Sequence, residues 1–230
     1  MPSVRRALRI LHENYHVPHV VMSSIPLHNF LRDALPPNLS PKEHNSKINS
    51  SYLLCISSSC TASGNGSATP DSTDYTSVPS IVHAHVLPCI PGYFSGVGDL
   101  FSAMVLAHFQ PTSMSKHSSV QTSLSNGIDN ATHTPLSIAV SHALSKTFGM
   151  LRFTHEQVSA THPESEDATD EERDRADPGR QVRRMRTREL RLIQGQHILR
   201  ATPIPTSNKH EGDGCVIELR EMRPWNDFWI

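Results

Sequence analysis

Aromatic residues are scarce in this 230-residue chain, at 6%, and hydrophobic residues reach only 37%. Both fall below an ordinary globular average. The deficit lies in Ser/Thr/Pro-rich stretches, so the folded part is smaller than the length suggests. Neither sign of charge is in excess. A formal net charge of −1 argues against a general nucleic-acid or membrane-surface binder. Cysteine is sparse as well: Cys55, Cys60, Cys89 and Cys215 form no CxxC pair and no zinc spacing. They read as reduced thiols in a reducing compartment. No apolar run approaches a membrane span, and the basic, His-bearing N-terminus has no signal-peptide core. The cytoplasm is the default location, with the nucleus as the alternative. A Walker loop is missing too, and Gly92, Gly96 and Gly98 do not make GxGxxG.

What the chain does have is Pro91-Gly92-Tyr93-Phe94-Ser95-Gly96-Val97-Gly98-Asp99, a glycine-punctuated turn that runs into an apolar segment, Leu100–Phe109. That segment is broken only by Ser102 and His108, and predicts a helix buried almost all round. Glycines allow positive φ and close approach of a ligand. The free amides of a helix's first turn, with its dipole, favour an anion. Asp99 is the odd residue, a carboxylate where an anion should bind. It suits a base that takes a proton from a hydroxyl attacking phosphorus. Asp is also a favoured N-cap, and the short motif alone leaves both readings open.

The length admits one or two domains and a sizeable core. Residues 4–15 read as an amphipathic helix, with Val4, Ala7, Leu8 and Leu11 on one face. A short buried strand, His19–Ser24, follows and puts Ser23 and Ser24 at its C-terminal end. That α-then-β order suits a parallel sheet, and open α/β sheets bind ligands at such strand ends. Residues 25–50 read as loop. Ser51–Ser58 and Ile81–Leu87 read as strands; His83 and His85 share a face of the second and are ordinary strand histidines rather than metal ligands. Thr134 and Pro135 fit the N-cap and N1 positions of a further helix. Val216–Leu219 reads as a last strand. Flexible inserts are expected at 36–50, 60–79, 110–134 and 161–180.

Eight acids fall in residues 163–177 and six arginines in 180–191. A basic arm preceded by its own counter-charge is poorly placed to hold phosphate backbones. It reads as a solvated acidic linker leading into a basic helix. Asn38, Asn49, Asn65 and Asn130 stand in Asn-x-Ser/Thr triplets, read as chance in a Ser-rich chain.

The stretch from Gly92 through Asp99 to Phe109 resembles the signature of the pyridoxal kinases, in the ribokinase-like superfamily. His19–Ser24 resembles the family's strand that ends in hydroxyl residues at the nucleotide. Arg188–Gln194 resembles its C-terminal Glu-Leu-Arg-x-Val-Gln segment. The resemblance covers most of the chain outside the low-complexity stretches and looks closest to fungal members.

It implies an α/β fold: a single ribokinase-like domain over 1–230, with a mostly parallel sheet flanked by helices. The implied reaction is transfer of the γ-phosphoryl of ATP to the 5'-hydroxymethyl of pyridoxal, pyridoxine or pyridoxamine. Asp99 would be the base, and the amides of Gly96, Val97 and Gly98 the anion hole. Ser23, Ser24, Ile90, Pro91 and Gly92 map onto the nucleotide contacts. ATP, Mg²⁺ and a monovalent cation such as K⁺ are the implied cofactors, with no protein metal ligand assigned. The implied partners are the small-molecule vitamers and a second copy in a homodimer, with no nucleic acid and no membrane. Val97 stands where many members have threonine, which keeps the amide and loses a phosphate-contacting hydroxyl. The chain also starts near where the second half of such a kinase would start. The first strands, the pyridoxal pocket and the lid have no counterpart here. The domain is therefore expected to be incomplete. The alternative is a catalytically incomplete nucleotide-binding fragment, or a pseudo-subunit pairing with a full-length kinase.

Overall fold

The computed structural model describes residues 1–41, 51–60, 80–92, 94–111, 133–161, 175–187, 189–205 and 217–230. Most of the four expected inserts, and Tyr93, Arg188 and Cys215, lie outside the described residues. The rest is a mixed α/β chain that divides into two compact units. The first comprises Met1–Cys89, Phe109–Val140 and Glu221–Ile230; the second comprises Ile90–His108 and Ser141–Arg220.

In the first unit, helix α1 (Pro2–Arg9) runs into a π-turn, Ile10–Asn14. Strands β1 (His19–Pro26), β2 (Tyr52–Ser59) and β3 (Ile81–Pro88) are followed far along the chain by a two-residue strand at Arg223–Pro224. That short strand closes a four-stranded sheet against β3. Every pairing in this sheet is antiparallel, so the expectation of a mostly parallel sheet is corrected. The physical reason can be read in the sequence. Parallel neighbours need a crossover, usually a helix, whereas antiparallel neighbours do not. The Ser/Thr-rich sequence between β2 and β3 has no helical periodicity to supply one.

Leu8 of α1 is fully buried against Val20, Leu54, Ile56, Val82 and Ala84 of the sheet. The C-terminal tail completes this core. Phe228 is fully buried, edge-on to Trp225 at 5.1 Å and to Trp229 at 4.9 Å. Trp229 also donates its indole N–H to the Ser80 carbonyl at 2.9 Å, so its polar edge is satisfied. The stretch 25–50, read as loop, includes the short helix α2 (Asn29–Arg32), and Leu31, Leu35 and Leu39 are buried. His83 is fully buried and stacks on His133, while the His85 ring bonds the Glu221 carbonyl at 2.7 Å. Both are strand histidines used in packing.

In the second unit, helix α3 (Val97–His108) contributes Leu100 to a core with Met150, Ile198 and Ile217. Helix α4 (Pro135–Thr161) belongs to the first unit up to Val140 and to the second from Ser141. Its start is a reciprocal cap. The Ser137 amide donates to Thr134 Oγ1 at 3.1 Å, and the Thr134 amide donates to Ser137 Oγ at 2.9 Å. This satisfies amides the helix cannot use itself. Helix α5 (Pro178–Thr187) carries the arginine run, and its Arg183 pairs with Asp177 just before the helix. Helix α6 (Gln196–Arg200) precedes the parallel pair Pro203–Ile204 and Ile217–Glu218. Of the expected strand at 216–219, Ile217 and Glu218 are paired, Leu219 is not in the strand, and Val216 lies outside the described residues.

Candidate functional site

The glycine turn is built as the sequence requires. Gly92 has φ +103° and Gly96 φ +82°, values an L side chain rarely adopts. Gly96 is the N-cap of α3, because its carbonyl accepts the first intrahelical bond, from the Leu100 amide at 3.0 Å. Val97, Gly98 and Asp99 then occupy the first three helical positions. Their amides are among the four that an α-helix leaves without an intrahelical partner. Asp99 is not the N-cap. It sits at the third position, exposed, with Gly96 and Gly98 exposed beside it. Among the described residues none forms an ion pair with its carboxylate. A β-carbon on Gly96 or Gly98 would meet nothing within 4 Å, so the space over this turn is open.

Two contacts within the unit hold the turn. Ser95 makes a parallel bridge to Glu189, and the Phe94 ring lies edge-on to His155, centroids 6.3 Å apart. The Arg188–Gln194 segment singled out in the sequence is thus brought to the turn through Glu189. Leu100 and Phe101 anchor the helix in the core, but α3 is not buried all round as expected. Ser102, Ala103, Leu106 and Ala107 are exposed, with Leu106 at 77%. Apolar composition all round does not bury a helix that packs on only one side.

Ile90, Pro91 and Gly92 lie on the approach to the same turn. Ser23 and Ser24 belong to the other unit. They are not at a strand end, because β1 runs on to Pro26. They form a bulge, with the pairing register shifting between Met22 and Ile25 and Ser24 at φ +59°. Both are exposed. Non-glycine residues in this conformation are strained and occur preferentially at functional positions.

Sequence reasoning missed a buried polar network in the first unit. His12, only 6% exposed, donates Nδ1–H to the Val17 carbonyl at 2.6 Å. Its Nε2 then accepts from Ser58 Oγ at 2.7 Å, and Ser58 and Ser80 hydroxyls are 2.7 Å apart. Cys60 Sγ lies 3.1 Å from the same Nδ1. Burial raises the Cys60 thiol above its ordinary range and lowers His19 nearby, with His12 adding to the second shift. Cys55, in the sheet core, is pushed up to about 12 by burial alone. Raised thiols are poor nucleophiles. With Ser58 and Ser80 enclosed, the network fastens the π-turn to the sheet.

The second unit also holds a cavity of about 260 Å³ lined by Phe148, Gly149, Arg152, Ile198 and Arg220. Its cations are already committed: Arg152 pairs with Glu156 at 3.1 Å and Arg220 with Glu218 at 2.8 Å. Arg220 also lies over the Phe148 ring at 4.6 Å. The turn at Gly96 presents first-turn amides that the helix itself does not use. Among the described residues no group of three or more His, Cys, Asp or Glu is placed to hold a metal ion. No helix among them is long and apolar enough to cross a membrane.

No protein-family model matches the sequence, and no curated protein does. Among solved structures, the chain is similar to a pyridoxal kinase from Leishmania donovani in complex with ADP. The TM-score is 0.48 at 16% identity, over 98% of this chain and 45% of that one. The same enzyme with ADP and pyridoxamine gives 0.46 at 15%, again over 98% and 45%. A pyridoxal kinase from Trypanosoma brucei gives 0.42 at 15%, over 97% and 44%. The chain spans less than half the length of these structural neighbours.

Proposed function

We propose that the chain is the nucleotide-binding part of an ATP-dependent phosphotransferase of the pyridoxal kinase type, its two units forming one partial ribokinase-like domain. The observation that carries this reading is the turn itself: Gly96 at positive φ, three helical positions at Val97–Asp99, and an exposed carboxylate at the third. In the reaction, the vitamer's 5'-hydroxyl oxygen attacks the γ-phosphorus as the bond to the bridging oxygen of ADP breaks. The hydroxyl proton passes to Asp99. The amides of Gly96, Val97 and Gly98 receive the charge that develops on the transferred group. Ile90, Pro91 and Gly92 lie along the nucleotide.

Divalent cations in such sites are bound mainly through substrate phosphates. Mg²⁺ would be carried by the nucleotide, and no step is assigned to a protein-held ion. The openness of the turn favours a second reading beside the first: a nucleotide-binding subunit whose vitamer pocket is completed by another chain.

Calorimetric titration with MgATP tests the binding claim. Gly98→Val should keep the fold, because the added carbons enter open space, yet obstruct the phosphate. Binding lost in that variant with its circular dichroism unchanged is the expected result. Equal affinity in both proteins would refute the assignment.

A further inference from the structure

Outside the glycine turn, the second unit gathers three basic side chains with no acid paired to them among the described residues. His108 is the last residue of α3, and its ring centroid lies 5.0 Å from that of His142 on α4, the planes tilted by 35°. Lys146 follows His142 by one helical turn, hence on the same face. It is only 7% exposed. No hydrogen bond or ion pair to its amine is present among the described residues. Its stem is buried, while the amine is not among the buried side-chain atoms without a partner, so it reaches solvent as a cation with two protonatable rings near it.

We propose that His108, His142 and Lys146 form a binding site for a phosphate group, separate from the glycine turn. Burial lowers the proton affinity of all three, and Lys146 further lowers both histidines, with His108 acting on His142. Among the described residues no carboxylate acts on any of them. An anion seated among them reverses that balance: it supplies the missing counter-charge to Lys146 and draws protons onto the imidazoles. Donors from two helices meet at this cluster, which suits an oxyanion with spread charge. Inorganic phosphate and a phosphate monoester share that chemistry.

The test is proton NMR titration of the histidine rings on the full chain. Inorganic phosphate, glycerol phosphate and, at matched ionic strength, chloride are compared. Phosphate should raise the titration midpoints of His108 and His142 in a saturable way, and chloride should not. Lys146→Met, which keeps the buried stem, should weaken binding about tenfold or more, the scale of one charge-assisted hydrogen bond. Tighter saturation by glycerol phosphate would identify a phosphate ester as ligand, and the reverse order would identify the free ion. Midpoints unmoved by either phosphate, or moved equally by chloride, overturn the proposal. So does an undiminished shift in a folded Lys146→Met chain.

Discussion

Val97→Pro isolates one amide of the proposed anion hole. Val97 is the first residue of α3, the one helical position where proline is well tolerated, since its amide has no intrahelical partner and φ near −65° is already helical. The first bond of the helix runs from the Leu100 amide to the Gly96 carbonyl at 3.0 Å and leaves the Val97 nitrogen unused. The residue before a proline is restricted by clash of the ring with its β-carbon and its backbone N–H, and Gly96 lacks the first of these. The fold should therefore survive. Loss of one preorganised donor to the transferring phosphoryl costs about 2.7–4 kcal/mol, or roughly 10²–10³ in kcat. Because the donor acts on charge that develops in the transition state, KM for ATP should move far less than kcat. The assay is ATP-dependent phosphorylation of pyridoxal by Val97→Pro, with Val97→Ala, which keeps the amide, as control. A proline variant that is folded and turns over within a few-fold of the control would refute the role given to this amide.

Three further outcomes follow from the geometry. Gly96→Ala should lose about 1–2 kcal/mol in urea unfolding from positive-φ strain alone, since its β-carbon meets no atom within 4 Å; an unchanged midpoint would contradict this. Phe228→Ala removes a fully buried ring between two tryptophans and should cost about 3–5 kcal/mol, read from the same unfolding curves. Acidification should destabilise the chain in chloride buffer, because burial chiefly, with Lys146 and His108 adding, lowers the proton affinity of His108 and His142 when folded. The unfolded chain then binds protons first as pH falls through about 6.5. Stability is full above that value and declines below it until the folded rings also titrate. His142→Gln should flatten the fall in urea midpoint between pH 7.5 and 5.5, and an unaltered slope would count against the cause.

Local signals were legible in the sequence and long-range pairing was not. The Gly92–Asp99 turn, the Thr134–Pro135 helix start and the strands at 52–59 and 81–88 could be read because each depends on neighbours within one turn or one alternation. Strand direction could not, because it depends on whether a connection carries a crossover helix. A helix-then-strand start suggested parallel order, but β1, β2 and β3 are antiparallel. The bulge at Ser23–Ser24 was equally out of reach, since β1 continues in the same direction on both sides of it. The tail showed only isolated aromatics and no periodicity, yet Trp225 and Phe228 close the first core. The position of Asp99 was ambiguous between cap and first turn until Gly96 was seen to accept the first helical bond.

The central claim is that Asp99 accepts the proton of an attacking vitamer hydroxyl. It is tested most directly by pyridoxal phosphorylation assayed with this chain and with Asp99→Asn. Both run alone and with a full-length kinase subunit lacking its own base. The account predicts turnover that requires the carboxylate in at least one of those settings, with MgATP binding retained in the Asn variant. Equal turnover with aspartate and asparagine would contradict it, as would a folded chain that binds no MgATP.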